Sequence, residues 1–129
     1  MKNNNEIIKY SNVHVFYHIW LETEDHQVIL GDDTWDLLSA IAENGSLVKA
    51  AAALEISYRK AWGDLKLTEQ LLGFSLIEKH RGGAKGGETL LSEEGKAFVE
   101  AYQKLHLEVE EAVQPAVIAF KRKIKGKAR

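Results

Sequence analysis

The residues best suited to hold a polyanion cluster in two short segments. The first is Ser57-Tyr58-Arg59-Lys60, followed a turn or two later by Lys66. On a helix, Arg59, Gly63, Lys66 and Gln70 fall on one stripe with Lys60 beside it, because residues three and four apart are neighbours there. A guanidinium fork such as that of Arg59 matches the acceptor edge of guanine, a contact worth about 1–3 kcal/mol of base discrimination. Lys60 and Lys66 are point charges suited to phosphates, and Ser57 with the helix N-terminus adds neutral donors. Tyr58 has two readings: a hydrogen bond to phosphate, or cover for the preceding helix. Gly63 costs roughly 1 kcal/mol inside a helix, and close approach of the backbone to DNA or ordinary drift accounts for it equally.

The second segment is Arg81-Gly82-Gly83-Ala84-Lys85-Gly86-Gly87. Its glycines let a loop follow a phosphate backbone without side-chain obstruction, while Arg81 and Lys85 supply charge. It lacks the G-x-x-x-x-G-K-S/T order of a nucleotide-binding loop and does not lie between a strand and a following helix.

The elements that must position these groups can be read from caps and periodicity. Val13 to Leu21 alternates as a strand, with Val13, Val15, Tyr17, Ile19 and Leu21 on one face. Glu22 to His26 turns, and Gln27 to Leu30 returns as a hairpin. Gly31-Asp32-Asp33 offers an N-cap carboxylate to a helix that buries Trp35, Leu38, Ile41 and Ala42, and Asn44-Gly45 ends it. Ser46 caps a second helix, Leu47 to Leu54, whose four alanines allow a close crossing. The chain breaks at Glu55-Ile56, and Ser57 caps a third helix from Tyr58 to Leu72 that turns Ala61, Leu65, Thr68 and Leu72 inward, with Trp62 beside them. Gly73 closes it. Phe74 to Lys79 and Glu88 to Leu91 read as the strands of a wing. Ser92 caps a helix of about twenty residues with Phe98, Tyr102, Leu105 and Val109 on one stripe, which Pro115 should kink or end. The expected fold is mainly α with small β (α+β): a winged helix-turn-helix preceded by a β-hairpin and followed by a long C-terminal helix. Residues 1–115 make up that domain, and 116–129 a basic helical extension.

Composition fits this reading. The chain has 129 residues, 45% apolar and 28% charged, without cysteine. One soluble domain is expected, and disulfides, thiolate zinc sites and cysteine nucleophiles are excluded. No apolar run reaches the ~18 residues of a membrane span and no signal-peptide pattern is present, so the cytoplasm is the expected compartment and no membrane partner is expected. The net charge of −2 conceals a segregation. Tyr10 to Val48 holds seven acids and no lysine or arginine, whereas Lys121, Arg122, Lys123, Lys125, Lys127 and Arg129 crowd the last nine residues. Phosphate binding needs a local basic surface rather than a basic protein.

No serine, histidine and carboxylate spacing forms a catalytic pattern, so an enzyme is not expected. His14 and His18 share a strand face but stand roughly 13 Å apart at the ~3.3 Å rise of a strand. That separation is too great to share an ion, and no metal or other cofactor is expected.

From about Trp20 to Leu107 the chain resembles the N-terminal DNA-binding domain of ModE-type, molybdate-responsive regulators, relatives of the LysR-type winged helices. The resemblance rests on Gly45-Ser46-Leu47 with Ala50-Ala51, on Ile56-Ser57-Tyr58-Arg59-Lys60-Ala61-Trp62, on Leu76-Ile77-Glu78-Lys79, on the glycine-rich wing and on Leu90-Leu91-Ser92-Glu93-Glu94-Gly95. It implies a transcriptional regulator that binds double-stranded DNA as a homodimer. The DNA contacts it implies are Ser57, Tyr58, Arg59, Lys60, Arg81 and Lys85; Ser46 and Lys66 join them as DNA-binding candidates, and Phe98, Tyr102, Leu105 and Val109 are the candidate dimer seam or else intramolecular core. The chain departs from the family at Glu55, where a glycine is usual; a left-handed conformation there would strain a non-glycine residue by ~1–2 kcal/mol. No length is left for a molybdate-binding module, so molybdate binding by this chain is not expected. The alternative is a winged-helix protein-interaction module that does not bind DNA, which the acidic segment favours.

Overall fold

A computed structural model describes residues 12–80 and 87–125. The chain divides into two compact units, one spanning Trp20–Tyr102 and the other combining the described residues 12–19 with 103–125.

The Trp20–Tyr102 unit opens with β1 (Leu21–Glu22), paired antiparallel with β2 (Val28–Leu30). The turn between them closes through Thr23, whose backbone N–H donates to Gln27 O at 2.8 Å and whose carbonyl accepts from His26 N at 3.0 Å. His26 takes the left-handed conformation at φ 68°. The hairpin is shorter than the alternation suggested: residues 13–20 are not in a strand. A strand exists only where another strand satisfies its backbone, and β2 offers three residues.

Helix α1 (Asp32–Asn44) follows. Its N-cap is Gly31, without a side-chain cap, and Asp32 and Asp33 lie in the first turn instead. The expected N-cap carboxylate is therefore corrected to two acids in the first turn, where they complement the helix dipole. Gly45, at φ 67°, ends the helix as expected. The buried face holds Leu37, Leu38, Ala40 and Ile41; Trp35 is half-buried and Ala42 exposed. The inward arc is thus shifted from the expected one.

Helices α2 (Leu47–Ala53) and α3 (Tyr58–Leu72), then β3 (Ile77–His80) and β4 (Glu88–Leu91), complete the winged helix-turn-helix. β3 and β4 pair antiparallel from Ile77↔Leu91 to His80↔Glu88. The core gathers Leu30 from β2, Leu37, Leu38 and Ile41 from α1, Leu47, Ala50 and Ala51 from α2, Ala61 and Leu65 from α3, Leu76 and Tyr102. Alanines at the α2 and α3 positions bring these backbones close, as the composition of α2 suggested.

Ser92 caps α4 (Glu93–Lys125), accepting from Gly95 N at 2.8 Å. The helix is 33 residues long, well beyond the expected twenty, and Pro115 lies inside it without ending it. An interior proline removes one helix hydrogen bond and crowds the carbonyl four residues earlier, yet α4 continues through Pro115 to Lys125. Up to Tyr102 the helix belongs to the winged unit, where Phe98 meets Phe74 edge-on at 6.2 Å and stacks with Tyr102 at 6.0 Å. Burial, and secondarily the charge of Asp32, push the Tyr102 hydroxyl above its ordinary pKa.

In the second unit the half-buried positions His106, Val109, Val113, Val117 and Ile124 recur at helical spacing, while Leu107, Ile118 and Phe120 are exposed. No helix among the described residues is long and apolar enough to cross a membrane.

Candidate nucleic-acid interface

The presentation of α3 depends on the tight turn before it. Ile56 N donates to Ala51 O at 3.0 Å and Glu55 N to Ala52 O at 3.1 Å, so the end of α2 folds back on itself. Glu55 reaches φ 58°, the left-handed conformation that the resemblance implied. Ser57 then starts α3, its Oγ accepting from Lys60 N at 3.0 Å, and Ser46 does the same for α2, accepting from Lys49 N at 3.2 Å. Both serines thus have cap roles established by geometry.

The first turn of α3 faces outward: Ser57, Tyr58, Arg59 and Lys60 are all exposed. Lys60 Nζ bonds Asp64 Oδ2 at 2.9 Å. That hydrogen bond, with the charges of Asp64 and Asp33, holds the Lys60 ammonium above its ordinary pKa. Lys66 Nζ bonds Glu69 Oε1 at 3.0 Å and lies 4.4 Å from the centre of the Trp62 ring. Arg59 makes no ion pair or side-chain hydrogen bond among the described residues. Gly63 is exposed, and a Cβ there would meet nothing within 4 Å.

Three residues that sequence reasoning did not assign hold the wing to this head. Glu69 is 8% exposed, and its Oε2 accepts from Leu76 N at 2.7 Å and Ile77 N at 3.3 Å, fixing the entry into β3. Its place on the inward face of α3, next to Thr68, was the available signal. Thr89 is 5% exposed; its Oγ1 accepts from Leu47 N at 3.2 Å and its N–H donates to Gly45 O at 2.9 Å, tying β4 to the start of α2. Nothing local marks that long-range pairing. Lys79 on β3 donates to Tyr58 Oη at 2.6 Å and joins the wing to the first turn of α3.

Ser46, Tyr58, Lys79, His80 and Thr89 consequently line one open cleft between the start of α2, the head of α3 and the wing strands. Ser57, Arg59 and Lys60 extend the same head of α3, and Lys66 lies further along the helix. Arg81 and Lys85 lie outside the described residues. Of the seam candidates, Tyr102 is 4% exposed and Phe98 packs inside its own unit, whereas Leu105 is exposed and Val109 half-buried.

Comparison with known proteins agrees with this arrangement. The family model of bacterial regulatory helix-turn-helix proteins of the lysR family matches residues 33–96, from α1 to the first turn of α4. The molybdenum transport protein ModE of Azotobacter vinelandii is 33% identical over 84 residues, which are 65% of this chain and 31% of that protein. The DNA-binding transcriptional dual regulator ModE of Escherichia coli K12 is 35% identical over 69 residues, 54% of this chain and 26% of that protein. The chain thus spans about a third or less of the length of these relatives. The crystal structure of the CbnR_DBD-DNA complex superposes with a TM-score of 0.51 at 23% identity, covering 70% of this chain and 98% of that one, a likeness of fold. Residues 33–96, just under half of the chain, thus form a helix-turn-helix domain of the lysR type found in bacterial regulatory proteins.

Proposed function

We propose that this chain is a sequence-specific DNA-binding transcriptional regulator, acting in the cytoplasm as a homodimer. The observation that carries the reading is the exposed first turn of α3 beside the wing strands, with Arg59 uncompensated by any acid among the described residues. Arg59 reads guanine in the major groove, and Tyr58, Lys60, Lys66, Ser46 and Ser57 contact the flanking backbone, as do Arg81 and Lys85 of the wing. Lys60 and Lys66 exchange Asp64 and Glu69 for phosphate when DNA arrives, so their contribution is the difference between two ion pairs. The naming of the Escherichia coli relative as a DNA-binding regulator supports this role. The role is one of binding, not catalysis.

Phe98 and Tyr102 serve the core of their own unit, so of the expected stripe Leu105 and Val109 remain for a dimer seam on α4. Dimerisation would set two reading heads one DNA turn apart, roughly 34 Å. Operator symmetry and dimerisation therefore stand together.

The test is a fluorescence-anisotropy titration of the gene's upstream duplex and a scrambled duplex at two salt concentrations, with Arg59→Ala alongside. Salt-sensitive binding that prefers the upstream duplex, with the preference lost in the variant, is expected. Failure of the wild-type protein to bind either duplex at low salt would refute the proposal.

A further inference from the structure

The wing strand carries a cation held differently from the lysines of α3. Tyr58 and Trp62, one turn apart on α3, stack with ring centres 6.5 Å apart and planes within 7°. Lys79 Nζ lies 5.2 Å from the centre of the Tyr58 ring and 4.3 Å from that of Trp62, and donates to Tyr58 Oη. Ring quadrupoles attract an ammonium without neutralising it. Lys60 and Lys66, in contrast, each rest on a carboxylate. Among the described residues no acid lies within ion-pair distance of Lys79. Its charge is fixed in position without an ion pair, and it lines the cleft between the head of α3 and the wing, on whose other strand Glu88 also lies.

An ammonium has three donors. Tyr58 Oη takes one, leaving two for phosphate oxygens. We propose that Lys79 binds a backbone phosphate of duplex DNA, and that Tyr58 is its positioning residue, with Trp62 completing an aromatic rail along α3. The inference rests on the DNA-binding reading and adds a contact from the wing strand itself. Lys79 meets phosphate without first surrendering an ion pair, so it contributes a larger share of the backbone affinity than its single charge suggests.

The experiment measures binding of the upstream and scrambled duplexes between about 50 and about 200 mM salt, the range over which phosphate contacts dominate affinity. The proteins are the wild type, Lys79→Gln, Lys79→Arg, Tyr58→Phe alone and with Lys79→Gln, and Arg59→Ala. Lys79→Gln should weaken both duplexes alike and lower the slope of log affinity against log salt by about one. Across this range that removes about three- to fourfold of the salt sensitivity. Lys79→Arg should restore the slope. Tyr58→Phe should keep the slope while weakening both duplexes about threefold when Lys79 is present but not in a Lys79→Gln background, because the charge survives but loses its hydroxyl anchor. An equal loss in both backgrounds would assign the hydroxyl only its own phosphate contact and remove the positioning role. A purely structural role for Lys79 would lower affinity at unchanged slope, and that result overturns the inference. So does a wild-type slope in Lys79→Gln when Arg59→Ala has lost sequence preference, an outcome that leaves the DNA-binding reading intact. Wild-type affinity in Tyr58→Phe removes the positioning role. Absence of DNA binding by the wild-type protein defeats both readings together.

Discussion

Gly95→Ala should destabilise the winged unit, although an alanine in a helix is ordinarily favourable. Gly95 is buried in the first turn of α4, and a Cβ built there would stand 2.0 Å from Leu76 O and 2.9 Å from Leu76 C. The neighbour is backbone, so no side chain can swing aside. To reach even the 3.0 Å limit of real contacts the two segments must part by roughly 1 Å, well beyond what packed interiors yield freely. Leu76 cannot move cheaply. Its N–H donates to Glu69 Oε2 at 2.7 Å, its carbonyl accepts from Ser92 N at 2.9 Å, and its side chain is fully buried. Overpacking of this kind costs about 1–3 kcal/mol, and opening a buried backbone hydrogen bond adds about 1–3 kcal/mol. The gain in helix propensity returns about 1 kcal/mol. The net loss is about 1–5 kcal/mol, a fall in melting temperature of roughly 4–20 °C for a chain of this size. Gly63→Ala is the internal control: nothing lies within 4 Å of its built Cβ, so it should stabilise by up to about 1 kcal/mol. Thermal and urea unfolding of the two variants should therefore diverge in sign. A Gly95→Ala protein as stable as the wild type would refute the close approach of α4 to the entry of β3.

Glu69→Ala should cost about 2–4 kcal/mol in urea unfolding, because it orphans two buried N–H groups at Leu76 and Ile77. A loss confined to a few tenths would show that water replaces the carboxylate. Glu55→Gly should stabilise by about 1 kcal/mol, since φ 58° is left-handed backbone that glycine adopts without strain. An unchanged unfolding midpoint would argue against strain in that turn. The hydrogen bond from Trp20, then that from His26, holds the Glu22 carboxyl below the ordinary glutamate range. A depressed folded pKa contributes stability above the unfolded value of about 4.3 and loses it as pH falls through the lower folded value. Glu22→Gln should flatten that acid limb of the stability profile and leave the shape above pH ~5 unchanged. An acid limb of wild-type steepness in the variant would assign the pH dependence elsewhere.

Much of the winged unit was legible in the sequence because it is specified locally. Ser46 and Ser57 announce their helices by the bonds a serine makes three residues ahead. Gly45 and Gly73 mark helix ends because their backbones lie in the left-handed region. Spacing by three and four residues along α3 placed Ala61, Leu65 and Thr68 inside, and the order of these signals already implied the head on which Tyr58, Arg59 and Lys60 stand. Three-dimensional packing decided the rest. Alternation from Val13 to Ile19 could not make a strand without a partner strand, and α4 runs on through Pro115 to Lys125. Whether Lys60, Lys66 and Lys79 carry free or compensated charge depends on Asp64, Glu69 and the Tyr58–Trp62 pair. A row of residue types records that a lysine is present; only the fold determines whether an acid or a ring stands opposite it. Gly95 makes the same point for space, because its lack of a side chain matters only through the Leu76 carbonyl that folding brings against it.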